Sequence, residues 1–197
     1  MKTTRPYVMT ARAEAVAQTR ERIVRAAIEL ANQGPLAAIS LAAIAADAEV
    51  SVQTVLRQFG SRDGVIDAAV EASHQQIATE RSAPRGDMPA ALAALVDSYE
   101  AGGDASILLL GQESSDPRAA QIATLGRGFH RSWVEDVFAH LLGDAGPDRE
   151  EMIDMLVVAT DVYTWKLLRR DRGLSPDVVR KRMVRLAEAV VGGGNRD

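Results

Sequence analysis

The chain predicts an all-α protein, with a small helix-turn-helix module at its N-terminus and a larger helical domain after it. Three observations carry this expectation. The composition has 7 prolines, 4% aromatics and abundant Ala, Leu and Arg, which favours helix over sheet. Apolar residues recur at three- and four-residue spacing, and no segment reads as a strand. Start and stop signals (Ser or Asp caps, Pro at a first turn, Gly pairs) punctuate the chain at helix-length intervals.

Taken in order, residues 1–18 show no apolar period and carry Lys2, Arg5 and Arg12, so they read as a flexible basic tail that could supplement phosphate or minor-groove contacts. The first helix spans about 19–32, with Ile23, Ala27, Leu30 and Ala31 inward, and Gly34-Pro35 ends it. Ser40 caps a short second helix bearing Leu41, Ile44 and Ala45 on one face. Ser51 caps a third, in which Val55 and Phe59 share the inward face while Val52, Gln53, Arg57 and Gln58 point largely outward. Two short helices joined by a tight turn make a helix-turn-helix whose second helix offers amide and guanidinium groups to base edges. Ile23, Leu30, Ile39, Leu41, Ile44, Val50, Val55 and Phe59 form its small core. A linking helix follows to about Arg81; further helices run from Asp87 to Ala101, Ile107 to Leu110, Asp116 to Leu142, Pro147 to Arg172 and Ser175 to Val191, which makes nine in all. Gly102-Gly103 is expected to close the helix begun at Asp87, and residues 192–197 form a flexible tail.

Val50-Ser51-x-x-Thr54-Val55-x-x-x-Phe59-x-Ser61-Arg62-Asp63, preceded by the Ile44-Ala45 helix and a longer amphipathic one, resembles the DNA-binding domain of TetR-type transcriptional repressors. Only residues 19–63 are motif-specific, although the helical layout of the remainder suits that family. The chain departs from the family pattern at Glu49, where the turn usually has Gly, at Leu56, where Tyr is common, at Gln58, which replaces His or Tyr, and at Arg62, which replaces Lys. The resemblance implies residues 19–62 as the DNA-binding domain and residues 63–191 as a regulatory, ligand-binding and dimerising domain. It also implies a repressor that a ligand releases from DNA.

Charge distribution suits one-ended DNA binding. Residues 1–62 carry eight Lys/Arg and five acids, so the net −4 of the chain resolves into +3 there and −7 beyond. Gln53 and Arg57 are the expected base readers; Val52 and Gln58 flank them on the same helix, while Ser40, Ser51, Thr54 and Arg62 are expected at phosphates. A pseudo-palindromic duplex operator is the expected partner.

Catalytic patterns are lacking: the chain has no Gly-x-Ser-x-Gly elbow, no phosphate loop and no His-Glu-x-x-His, and Glu71-x-x-His74 stands alone where a di-iron bundle needs two such pairs. No enzyme, cofactor or metal site is therefore expected. Zero cysteines exclude disulfides, and the missing long apolar run and apolar leader point to a cytoplasmic protein without a membrane partner. Six of eight aromatics fall between residues 99 and 165. Tyr99, Phe129, His130, Trp133 and Tyr163 are the candidate lining of a mainly apolar pocket for a small apolar effector, with His130 as its polar anchor. Asp154 and Asp161 are read as meeting either a cationic ligand or, the favoured reading, arginines of a neighbouring helix. Val179, Met183, Leu186 and Val190 form the apolar stripe expected to join two subunits through the last two helices. A helical binding protein or enzyme without DNA binding is the alternative reading, and it would need clustered acid-base residues in the core.

Overall fold

The computed structural model describes residues 5–143 and 146–193, with side chains from residue 13 onward, and within them every regular element is helical. The chain divides into two compact units, Met1–His74 and Gln75–Asp197.

In the first unit, α1 (Arg5–Gln33) starts well before the expected Thr19, so most of the stretch read as a tail is helix. Residues 1–4 and the side chains of Arg5 and Arg12 lie outside the described residues. After a short 3-10 turn, Leu36–Ala38, come α2 (Leu41–Asp47) and α3 (Val52–Phe59). Both caps are the serines read from the sequence: Ser40 Oγ accepts from the Ala43 amide and Ser51 Oγ from the Thr54 amide, each at 3.1 Å. The core is Ile23, Ala26, Ala27, Leu36, Ile39, Ile44, Ala45 and Val55, joined by Val65, Ile66 and Ala69 of α4 (Arg62–Glu80). The first turns of α4 thus belong to this unit, which continues to His74 rather than stopping at residue 62. A three-helix core of this size buries too little apolar surface alone, and the α4 residues supply the shortfall.

The second unit comprises the rest of α4 with α5 (Met88–Leu110), α6 (Pro117–Phe138), α7 (Pro147–Thr160), α8 (Val162–Lys166), a π turn at Leu167–Asp171 and α9 (Pro176–Gly193). Asp87 and Asp116 cap α5 and α6, and Pro stands in the first turn of α5, α6 and α7. Leu92, Leu95, Val96, Val134, Phe138, Ile153, Leu156, Trp165, Val179 and Met183 form one continuous core.

Two expected boundaries are revised. The helix begun at Asp87 does not stop at Gly102-Gly103 but runs through to Leu110. Gly103 stands there because the Trp165 ring packs against that turn, where a Cβ would lie 2.5 Å from the indole. The single helix expected over 147–172 breaks at Asp161, whose extended backbone (φ −67°, ψ 153°) ends α7 while its carboxylate accepts from the Tyr163 amide at 2.8 Å and caps α8. Residues 194–197 of the expected C-terminal tail lie outside the described residues, and Gly192 and Gly193 continue α9. No helix among the described residues is long and apolar enough to cross a membrane.

Candidate nucleic-acid interface and ligand cluster

The outer face of α3 is set by how the helix is anchored. Val55 is fully buried, Phe59 half-buried, and Arg20 of α1 lies over the Phe59 ring at 4.2 Å. Arg20 Nη1 also donates to the Gln58 carbonyl at 3.4 Å, so α1 clasps the end of α3. With that side held, Gln53 and Arg57 stand exposed on the opposite side, and Val52 is exposed at the N-terminal end of the helix. Thr54 and Gln58 are half-buried at its flanks, and the Thr54 hydroxyl lies 2.9 Å from that of Ser51.

The turn before α3 has its own constraint. Glu49 adopts φ 52°, the left-handed region in which a side chain costs about 1–2 kcal/mol and glycine nothing. Glu49 therefore occupies the position where the sequence motif usually has glycine. Arg62 departs from its expected part: Nε donates to the Ile39 carbonyl and Nη2 to the Leu36 carbonyl, while Nη1 meets Asp63 at 3.2 Å. Its donors tie the start of α4 to the loop before α2, so the structure gives it a positioning role inside the module. The sequence carried no sign of this, because the two carbonyls lie 26 and 23 residues upstream.

In the second unit the sequence-predicted ligand residues are partly brought together. Tyr99 and His130 are buried and meet at Thr160: the tyrosine hydroxyl donates to the Thr160 carbonyl at 3.1 Å, and His130 Nε2 lies 3.1 Å from Thr160 Oγ1. Burial pushes His130 down to about 4 and the Tyr99 phenol well above its usual value. Trp133 stacks on His130, rings 5.7 Å apart and 13° from parallel, and Phe129 is half-buried one residue before that histidine. Tyr163 is 51% exposed and stands outside this cluster. Asp154 is paired with Arg131 of α6 at 2.8 Å, as expected of a carboxylate beside a neighbouring arginine. Asp161 is instead the α8 cap, and its burial raises its carboxyl above the usual range.

The expected interface stripe on α9 divides in two. Val179 and Met183 are fully buried in the unit's own core, because α9 packs on both α5 and α7, and a residue with no exposed surface cannot meet a second subunit. Leu186 remains 44% exposed and Val190 half-buried, facing Met155 (48%) and Val158 (67%) of α7 across an open apolar groove.

Comparison with known protein families matches residues 23–69 to bacterial regulatory proteins, tetR family. By this module the chain is similar to the tetR family. The tetR-family match covers α2 and α3 in full, together with the second half of α1 and the start of α4. Among solved structures, a transcriptional regulator from Rhodococcus sp. Rha1 superposes with a TM-score of 0.66 at 18% identity, over 88% of this chain and 96% of its own. A candidate transcriptional regulator from Pseudomonas aeruginosa PAO1 gives 0.68 at 16% identity, over 90% and 92%. At such identities the likeness is one of fold, and it takes in the C-terminal helices as well as the N-terminal module. No curated protein matches the sequence closely.

Proposed function

We propose that this protein is a sequence-specific, DNA-binding repressor of the tetR type that acts as a two-fold homodimer on a pseudo-palindromic operator and is released by a small-molecule effector. A cytoplasmic location accords with that role. The observation that carries the reading is the outward face of α3, where Gln53 and Arg57 stand free of intramolecular bonds among the described residues while Val55 and Arg20 hold the opposite side. Glutamine reads adenine and arginine guanine in the major groove. Ser40, Ser51 and Thr54, with the amides they leave at the helix starts, hold phosphates; Val52 contacts a thymine methyl or the groove wall, and Gln58 supports from the flank.

Dimerisation uses the groove between α7 and α9, through Met155, Val158, Leu186 and Val190 rather than Val179 and Met183. One module of this size makes few base contacts, whereas two placed about 34–36 Å apart read successive major-groove turns. The effector site lies around Tyr99, Phe129, His130 and Trp133, with Tyr163 at its margin. A ligand there must bind the DNA-incompetent state more tightly than the competent one, so operator DNA weakens its binding by the same factor. Selection of sites from random DNA by the full chain tests the central claim: it should return a pseudo-palindrome, and Gln53→Ala or Arg57→Ala should relax preference at one base position per half-site by about 1–3 kcal/mol. Selection that returns no preferred sequence, or preference unmoved by both substitutions, refutes the assignment.

A further inference from the structure

Arg81 follows the last residue of α4, is 8% exposed, and has no carboxylate paired with it among the described residues. Its Nε donates to Ser98 Oγ at 3.3 Å, and its guanidinium lies over the Tyr99 ring, 4.8 Å from the centroid. A guanidinium does not give up its proton in a protein, so burial here leaves a desolvated positive charge compensated by the Tyr99 ring and hydroxyl, by Ser98 Oγ and, at longer range, by Glu80. The Tyr99 hydroxyl donates to the Thr160 carbonyl and accepts from Arg81, so it offers the guanidinium a neutral oxygen but no full negative charge.

The neighbouring hydrogen bonds determine which histidine tautomer is present. Thr160 Oγ1 donates its single proton to the Leu156 carbonyl at 2.7 Å. Thr160 Oγ1 must then accept from His130, which makes Nε2 the protonated nitrogen and leaves Nδ1 a lone pair. Nδ1 is buried without a partner, and so is the indole N–H of Trp133, whose ring stacks on the imidazole. A single cluster thus contains a buried cation in no carboxylate ion pair among the described residues, a donor without an acceptor and an acceptor without a donor. Buried polar groups are rarely left in this condition, and each such group weakens the fold unless something satisfies it.

We propose that Arg81, His130 and Trp133 form the polar end of a ligand site for a small organic anion that also carries a hydroxyl or N–H donor, a hydroxylated carboxylic acid being the simplest case. The proposal rests on the reading that this unit binds an effector, and it replaces an apolar effector with an anionic one. The carboxylate takes the Arg81 charge and the Trp133 N–H, the ligand's own donor meets His130 Nδ1, and Tyr99 and Trp133 supply ring surface. Because Arg81 directly follows α4, the anion acts on the end of the helix that begins at Arg62 in the DNA-binding module.

Binding of matched pairs to the full-length protein tests this. 4-Hydroxybenzoate, other hydroxylated aromatic acids and their primary amides are titrated by tryptophan fluorescence and thermal shift. The acids should bind roughly 10- to 100-fold more tightly than the amides, the ratio expected for a charge-assisted bond against a neutral one. Arg81→Gln should abolish that ratio; the variant removes the charge but keeps an amide donor of similar length for Ser98 Oγ, and a cooperative melting transition checks that it is folded. In the wild-type protein, which needs no substitution, 4-hydroxybenzoate should shift the His130 Nδ1 resonance in a nitrogen-15 spectrum. Equal binding of acids and amides overturns the anionic class and leaves the effector site standing. An acid preference that survives Arg81→Gln, or an unmoved Nδ1 resonance, overturns the residue assignment. Binding by neither set overturns both the site and its ligand class.

Discussion

Replacing Gly103 with alanine should unfold the second unit more readily, although alanine is the better helix former. A Cβ at Gly103 would lie 2.5 Å from Trp165 Cζ3, 2.7 Å from Cη2 and 3.0 Å from Cε3, where ordinary carbon contacts are about 3.5–4.0 Å. The indole must retreat by about 1 Å, yet it is fully buried, its Nε1 donates to Glu100 at 2.8 Å, and Arg170 covers its ring at 4.6 Å. Overpacking of this kind costs about 1–3 kcal/mol. Losing the bond to the Glu100 carboxylate adds about 1.5–3 kcal/mol, and the helix propensity of alanine returns about 1 kcal/mol. The net destabilisation is about 1.5–5 kcal/mol. Gly102, its neighbour, is exposed and has nothing within 4 Å of where a methyl group would stand, so Gly102→Ala should instead stabilise by about 0.5–1 kcal/mol. Both tryptophans, Trp133 and Trp165, lie in the second unit, so urea unfolding followed by tryptophan fluorescence reads this unit alone. A Gly103→Ala midpoint at or above wild type, or one equal to that of Gly102→Ala, refutes the packing account.

Relief of the left-handed backbone by Glu49→Gly should stabilise the first unit by about 1 kcal/mol in circular-dichroism melts, and an unchanged or lower melting point would show that the turn is not strained. His130 is held neutral with its pKa lowered from 6.5 to about 4, so the unfolded state binds the proton more readily. Its contribution is complete above pH 6.5 and is lost as the pH falls towards 4, about 3 kcal/mol over the full range. His130→Gln should flatten that limb in urea midpoints taken between pH 7 and 5, and a variant with the wild-type slope would assign the titration to another group. Val158→Glu with Leu186→Glu should give folded monomers by sedimentation, since both residues are exposed, whereas Met183→Glu should unfold the chain by placing a carboxylate in the core. Dimers that survive the double substitution would move the interface elsewhere.

The N-terminal module was the most legible part of the chain because its signals are local. A serine cap bonds three residues ahead, and Val55 and Phe59 meet one face within a single turn, so Ser40, Ser51 and the inward side of α3 could be read without knowing what they pack against. Arg62 was not legible. Its anchoring carbonyls are distant in sequence, and a basic residue beside a helix start reads equally well as a phosphate contact.

The later helices divide the same way. Periodicity gave the caps of α5 and α6 and the apolar character of α7 and α9, but an apolar face does not say which neighbour covers it. The packing of α9 between α5 and α7 buried Val179 and Met183 inside the chain and left Leu186 and Val158 outside. A glycine pair reads as a helix end when nothing is known to approach it, and only the arrival of Trp165 from far downstream turns Gly103 into a place where the helix must continue without a side chain. The sequence by itself determined the helical class, the serine and aspartate caps and the outward face of α3, because those depend on residues within a turn or two of each other. Tertiary structure alone decided the buried meeting of Arg81, Tyr99, His130 and Thr160, since hydrogen bonds and ring contacts between residues 17 to 61 positions apart leave no period in the sequence.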